Sequence, residues 1–339
     1  MAYFKASPED FLVDEIALYP AIGSGPHTFV QIEKRLRTTE EVAEDLAQAF
    51  GLKRRDVGYA GRKDRVGVTR QWFSLPDIDP ERVTAAVLPD AKVLEAVRHQ
   101  NKLRTGHLRG NKFEIWVRGL TEAETEAAVA RLETVKQLGF ANRYGAQRFG
   151  RDGDNARRAL VILHRGAAPK DRRRARFLLS ALQAEVFNRV LDERPLEIGQ
   201  LEVGDLAVKH ESGGVFCVED VEADNARARI FEISPTGPMF GTKVAQPLGA
   251  PAQREAKILT EYGVPNQQDL KAPRGVSLKG ARRSLRVLPT EFAHQIDADA
   301  MKISVTLPSG SYATVLLEEV FGPLREGADV IPDGEGILA

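Results

Sequence analysis

Residues 58–75, GYAGRKDRVGVTRQWFSL, set one carboxylate, Asp64, between Lys63 and Arg65. An unperturbed Asp titrates near ~4. Two flanking cations that face it favour the ionised form further. Such a group suits nucleophilic or electrostatic work at neutral pH better than proton donation. Gly58 and Gly61 give the loop access to backbone angles closed to other residues, so it can be tight and the side chain aimed. The plainer alternative is a surface turn with a local salt bridge.

Three further stretches carry candidate binding groups. ANRYGAQRFGRDGDN (141–155) mixes Asn142, Tyr144, Gln147, Arg148, Phe149 and Arg151 with glycines. Rings stack on bases, amides read base edges and guanidinium meets phosphate, which is the equipment of a single-stranded nucleic-acid site. NKLRTGHLRGNKFEI (101–115) is a basic, hairpin-like run in which Lys102, Arg104, Arg109 and Lys112 could clamp phosphates. In LPSGSYATVLLEE (307–319), Tyr312 follows a tight turn. The plain alternatives are a glycine-rich loop, a solvated hairpin and a half-buried strand aromatic. GSGPHT (23–28) lacks the Lys-Ser/Thr ending of a phosphate-binding loop, and no G-x-G-x-x-G follows a strand. No Ser-His-Asp or Cys-His set has a supporting context. A nucleotide-hydrolysing or nicotinamide enzyme is therefore disfavoured.

The elements around these residues fit a two-domain length of 339 residues. Cys217 is the only cysteine, so there is neither an intrachain disulfide nor a thiolate metal cage, and the six His show no ligand spacing. No cofactor and no metal are expected. No run reaches the roughly 18 apolar residues of a membrane span, and no apolar targeting segment opens the chain. A cytoplasmic protein without membrane contact, and with no obligate protein partner evident, is the expectation. Net charge is zero, but the windows 53–75, 98–112, 143–176 and 271–286 together carry +24 and the remainder −24. Such separation can build a basic face, with Arg172, Arg173 and Arg174 in its longest window. Solvated faces neutralised by acidic neighbours are the alternative.

Strands are expected over 9–19, 27–35, 69–76 and 112–120. Helices are expected over 39–50, with Thr38 and Glu41 as a capping box, and over 121–137, with Thr121 and Glu124. Helices at 154–164, 172–193 and 252–262 bracket a Gly/Pro-rich region of short strands, including ARARIFEI (226–233). Strands and a short helix return after 282, and residues from 325 onward read as a loose tail. The change of texture divides the chain into a discontinuous domain, 1–154 with 286–339, and an inserted domain, 155–285.

The motifs PEDFLVDEI, EKR…T, GYAGRKDRVGVTRQWFS, NRYGAQRFGRDGDN and PSGSYATVLLEE, in this order along nearly the whole chain, resemble the TruD family of pseudouridine synthases. The resemblance implies an α+β fold: a catalytic core with a mixed, largely antiparallel sheet flanked by helices, plus an inserted α/β domain that walls an RNA-binding cleft. It implies conversion of uridine to pseudouridine in transfer RNA, at position 13 in bacterial members. It also assigns residues: Asp64 as the catalytic Asp, Phe11, Asn142, Tyr144 and Tyr312 around the base, and Lys5 as the basic partner of Asp64, with Lys63 and Arg65 competing for that place. Lys63, Arg65, Lys102, Arg104, Arg109, Arg148, Arg172, Arg173 and Arg174 are candidate RNA phosphate contacts. Four positions depart from the family pattern. Tyr144 and Tyr312 stand where Phe is frequent, keeping the stacking face and adding a hydroxyl that needs a partner if buried. Arg143 stands where an aromatic is usual and would alter contacts beside the base. Gly67 stands where Ala is usual and would only loosen the loop. The alternatives are a non-catalytic RNA-binding or chaperone protein on the same fold, whose mark would be loss of the Asp, and a glycosylase using it.

Overall fold

The computed structural model describes residues 1–150, 152–167, 170–266 and 269–327. Arg151 and residues 328–339 of the expected tail lie outside them. In chain order the strands are β1 (Tyr3–Phe4), β2 (Phe11–Ala17), β3 (His27–Arg35), β4 (Gly58–Tyr59), β5 (Val68–Pro76), β6 (Ala91–His99), β7 (Leu108–Arg118), β8 (Phe140–Ala141), β9 (Leu206–Lys209), β10 (Val215–Cys217), β11 (Ile233–Met239), β12 (Ala281–Ser284), β13 (Arg286–Val287), β14 (Thr290–Asp297), β15 (Ala300–Pro308) and β16 (Arg325–Glu326). The helices are α1 (Thr39–Ala49), α2 (Pro80–Thr84), α3 (Glu122–Leu138), α4 (Asn155–Arg165), α5 (Arg172–Asp192), α6 (Val221–Arg229), α7 (Gly249–Glu261) and α8 (Ala313–Phe321).

These elements form two compact units. The first comprises Met1–Leu132, Pro289–Gly310 and Val320–Ala339, and the second Glu133–Leu288 and Ser311–Glu319. The second unit takes in residues 133–154, which the sequence texture had put with the first domain. Two contacts hold that segment: β8 pairs with β13, and Asn188 of α5 bonds both ways with the Tyr144 backbone.

The first unit is built on a ten-stranded sheet of order β14-β15-β7-β2-β5-β3-β6, with β1 joining β7 and β16, and β4 joining β5. The sheet is mixed: β2 runs parallel to β5 and β1 parallel to β16, while the other pairs are antiparallel. Alternation along β3 sends Val30 and Ile32 into a core shared with Val42 and Leu46 of α1 and with Phe73 and Leu75 of β5. The expected capping box starts α1: Thr38 Oγ1 accepts from Glu41 N at 3.2 Å, and Glu41 receives Thr38 N at 2.6 Å.

The 101–115 run is not a hairpin. Its second half begins β7, which pairs with β2 and β15, whereas the preceding strand β6 pairs with β3 at the far edge. The alternating apolar residues Phe113, Ile115 and Val117 are buried and place β7 inside the sheet.

In the second unit, β10-β9-β11-β12 form an antiparallel sheet. Helix α5 packs through Leu178, Leu182 and Val186 into one core with Ile162 of α4, Ile258 of α7 and Phe240. The expected strand ARARIFEI is divided: its first residues end α6, and Ile233 opens β11. Asp220 caps α6 by accepting from Ala223 N at 3.0 Å, and this local start outweighs the β-branched content downstream.

Candidate active site

Asp64 lies in the loop between β4 and β5. Three hydrogen bonds fix the loop from α1 and the sheet. Lys63 N donates to Thr39 Oγ1 at 2.9 Å, Thr39 Oγ1 donates to Gln71 Oε1 at 2.7 Å, and Gln71 Nε2 donates to the Gly61 carbonyl at 3.2 Å. The glycines act differently from expectation. Gly58 is needed for space, since a Cβ there would run into the Leu103 carbonyl, whereas a Cβ at Gly61 would make only ordinary contacts, the nearest with Lys63 Nζ at 3.5 Å. The left-handed angle falls on Gly67, at φ 140°, where a Cβ would lie 2.7 Å from the Phe11 carbonyl oxygen. Gly67 therefore does more than loosen the loop: it lets the loop close against β2.

The cation on Asp64 is Lys5. Its Nζ stands 3.1 Å from Asp64 Oδ2 and 2.7 Å from Glu326 Oε1. The Lys5 side chain is 3% exposed and that of Asp64 42%, so the pair is backed by protein and open on the carboxylate side. Strand pairing explains the placement. Residue Phe4 of β1 sits opposite Glu326 of β16, and Lys5 then leaves the strand at φ 58°. The adjacent competitors are engaged elsewhere. Lys63 bonds the buried Glu15 at 2.5 Å, and Arg65 bonds the Leu36 carbonyl at 3.3 Å and faces Glu41 at 3.8 Å. Phe11 is buried, and its ring lies under the Lys5 ammonium at 4.5 Å and edge-on to Phe113 at 6.1 Å. That ring, expected against a base, is given to Lys5.

A second buried lysine stands in the EKR segment, to which the sequence assigns no role. Lys34 of β3 is 1% exposed. Its Nζ donates to the Asp64 main-chain carbonyl at 2.8 Å and to the Arg37 carbonyl at 2.5 Å. Burial pushes its pKa down to about 8, offset in part by the charge of Asp64 and reinforced by Lys63. The sequence assigns no role to Glu326 either, because only the β1–β16 pairing brings residues so far apart in sequence together.

The second unit gathers Asn142, Tyr144, Tyr312 and Arg148. Asn142 Nδ2 donates to the Ser284 carbonyl at 2.9 Å, and its Oδ1 accepts from Arg283 Nη2. Both amide atoms thus have partners, and one N–H and one lone pair are left over for a ligand. The Tyr144 ring packs at 5.9 Å from Tyr312 and 5.8 Å from Phe187. Its hydroxyl reaches Met239 Sδ at 3.5 Å, a weak partner. Burial raises the Tyr144 pKa, with the nearby Arg283 charge opposing. The Arg283 guanidinium lies 4.2 Å from the Tyr144 ring centre, and burial lowers its pKa. Arg148 lies between the Tyr144 and Phe177 rings, at 5.7 and 5.6 Å, so it stacks rather than standing out as a phosphate clamp. Arg143, expected beside the base, makes a bidentate pair with Asp192.

The basic windows divide into spent and unspent charge. In 271–286, Arg282 pairs with the buried Glu255 at 2.7 Å. Arg286 is buried against Ser234 Oγ at 2.8 Å and the Ile233 carbonyl at 3.1 Å, and burial lowers its pKa to about 10. These two arginines hold the unit together and offer nothing to a polyanion. Lys102 bonds the Arg55 carbonyl at 2.7 Å. Arg104, Arg109, Arg172, Arg173 and Arg174 are exposed.

Residues 2–166 and 167–320 match the family model TruD, tRNA pseudouridine synthase D. The tRNA pseudouridine synthase D of Anaeromyxobacter dehalogenans (strain 2CP-1) is 41% identical over 340 residues, 97% of this chain and 94% of the relative. That of Geotalea daltonii is 36% identical over 381 residues, covering 94% and 96%. A TruD crystal structure from Methanosarcina mazei superposes with a TM-score of 0.73 at 22% identity, over 95% of this chain and 94% of that one, and shows a shared fold.

Proposed function

This chain belongs to the TruD family, and on that premise we propose that Asp64 is the reacting carboxylate of a transfer-RNA pseudouridine synthase acting at position 13. The activity is the isomerisation of uridine to pseudouridine in tRNA. The N1–C1′ bond breaks, C5–C1′ forms, C5 loses its proton and N1 gains one, so atoms balance within one nucleotide and no redox partner or group donor enters the stoichiometry. A uridine stacked in a helix hides these atoms, so the base is flipped out.

The observation that carries the reading is the Lys5–Asp64 pair. A buried ammonium at hydrogen-bond distance aims the carboxylate, while the exposed side of Asp64 stays open to the ribose or base. Phe11 supports Lys5 from behind through its ring face. Tyr144 and Tyr312 offer stacking faces to the uracil, and the remaining N–H of Asn142 offers a base-edge contact. Exposed arginines on the β6–β7 loop, at the start of β7 and in the first turn of α5 supply phosphate contacts. Among the described residues no helix is long and apolar enough to cross a membrane, and we place the protein in the cytoplasm with its tRNA.

The test is incubation with unmodified tRNA transcripts followed by chemical mapping. Pseudouridine at position 13 is expected, and Asp64→Asn should abolish it while tRNA affinity stays within a few-fold. Binding without modification by the wild type would instead support an RNA chaperone, and released uracil a glycosylase.

A further inference from the structure

We propose that Lys34 is the positioning residue of Asp64, holding the loop that carries the carboxylate through its main chain rather than its side chain. The proposal rests on the reading of Asp64 as the reacting group. Lys5 meets only the carboxylate of Asp64. The bonds at Lys63 N and the Gly61 carbonyl hold the loop before Asp64, and Lys34 Nζ holds the Asp64 carbonyl itself at 2.8 Å, with a second bond to the Arg37 carbonyl on the turn that enters α1. The ammonium therefore ties the active loop to the α1 entry.

The surroundings of Lys34 are unusual for a lysine. It is 1% exposed, and no carboxylate of the described residues lies within ion-pair distance of it. From the loop it faces Asp64 and Lys63, and from α1 the charges of Glu40 and Glu41. Across the sheet its neighbours are uncharged: Thr69 on β5, whose buried hydroxyl has no hydrogen-bond partner among the described residues, and Ala91 on β6. A buried cation satisfied by neutral carbonyls is costly, because its hydration is lost without full compensation. Charge-assisted bonds to carbonyls are also stronger than neutral ones. A methionine would fill the same volume at no such cost, so the charge has a use in the folded protein. The depressed pKa, about 8, means that this hold weakens in mildly alkaline solution.

The test uses the full chain and Lys34→Met. Amide exchange of residues 61–65 should accelerate at least about tenfold relative to helix α1, because the loop loses its anchor. Pseudouridine formation should fall on the order of tenfold or more in kcat at pH 7, with the Kd for unmodified tRNA within about threefold, because only the near-attack geometry is lost. The wild type should lose kcat above about pH 8, and the Met variant should lack that alkaline limb. If Lys34→Met does not fold, the wild type still decides: after correction for intrinsic rates, exchange of the loop should rise relative to α1 as pH passes 8. Unchanged loop exchange, or wild-type kcat in Lys34→Met, would overturn the proposal. An alkaline limb that survives in the variant would assign the titration to substrate or another group and overturn it likewise. If the wild type makes no pseudouridine, the proposed function fails, and the exchange measurement still judges whether Lys34 holds the loop.

Discussion

Lys5 Nζ lies 3.1 Å from Asp64 Oδ2 and 2.7 Å from Glu326 Oε1, so one buried cation is divided between two half-exposed carboxylates. The shorter bond goes to Glu326, the residue without a proposed part in the chemistry. Asp64 thus keeps freedom to leave Lys5 when substrate arrives, and Glu326 keeps the ammonium in place when it does. An uncompensated buried ammonium would be expensive at that moment.

The division can be tested by removing each partner. Lys5→Met should lower kcat on the order of 100-fold, because Asp64 loses the charged hydrogen-bond partner that aims it. Glu326→Gln keeps a hydrogen-bond acceptor beside Lys5 and should leave kcat within about threefold. Single-turnover rates on unmodified tRNA measure both. An equal loss in Glu326→Gln would move Glu326 from support into the chemistry.

How much of this was legible in the sequence follows from where each interaction lives. Asp64, the α1 cap and the β3 and β7 strands rest on local spacing, and they appear where that spacing puts them. The choice of Lys5 over Lys63 and Arg65 could not be read locally. Adjacent residues on a loop point apart, and Lys63 turns inward to Glu15, a partner set by the parallel β2–β5 pairing. The basic window 271–286 misled for the same reason. Composition cannot tell a solvated arginine from Arg286, whose guanidinium bonds main-chain and hydroxyl oxygens under the Phe231 ring. Lys34 shares the buried face of β3 with Val30 and Ile32, and it was invisible because a lysine at such a position is read by its charge as solvent-facing rather than by its place in the alternation.

Tyr144 separates ring from hydroxyl. Its hydroxyl meets the Met239 thioether at 3.5 Å and accepts a hydrogen bond from Arg283, and burial raises its pKa, so it stays neutral at physiological pH. Tyr144→Phe should keep kcat/KM within about tenfold, since it gives up a weak sulfur contact and one hydrogen bond with Arg283. Tyr144→Ala removes the face shared by Tyr312 and Arg283 and should cost about 1–3 kcal/mol, or roughly 5- to 150-fold in kcat/KM. Equal losses in both variants would give the hydroxyl a direct role.

Stability should depend on pH through Lys34 with a sign opposite to activity. Its folded-state pKa, about 8, lies below the ordinary 10.5. Between those values the unfolded chain binds more protons than the folded one, so stability rises with pH. The penalty for burying the ammonium is complete below about pH 8 and gone above about 10.5, with a ceiling of about 3 kcal/mol. Trp72 and Trp116 both lie in the first unit, so their fluorescence follows its unfolding in urea. The wild-type midpoint should climb from pH 7.5 to 9.5 relative to that of Lys34→Met. A parallel pair of midpoints would mean that Lys34 is not buried as a cation.

Arg172, Arg173 and Arg174 fill the first turn of α5, where the helix end is already positive and cations are disfavoured. Asp171 partly offsets this by accepting from Arg173 N at 3.0 Å and Arg174 N at 3.1 Å, but none of the three guanidinium groups has an acidic partner within ion-pair distance among the described residues. Helix stability does not explain three arginines there, whereas a polyanionic ligand does. Replacing all three by Gln, which is nearly as good a helix former, should leave the fold intact or slightly firmer. The dependence of log Kd for tRNA on log salt should become shallower by about 2, since each phosphate contact contributes about 0.7–0.9. Weaker, less salt-sensitive binding by a protein that is no less stable can come only from lost contacts to the RNA. An unchanged slope would remove this turn of α5 from the interface and leave Arg65, Arg104 and Arg109 as its remaining exposed candidates.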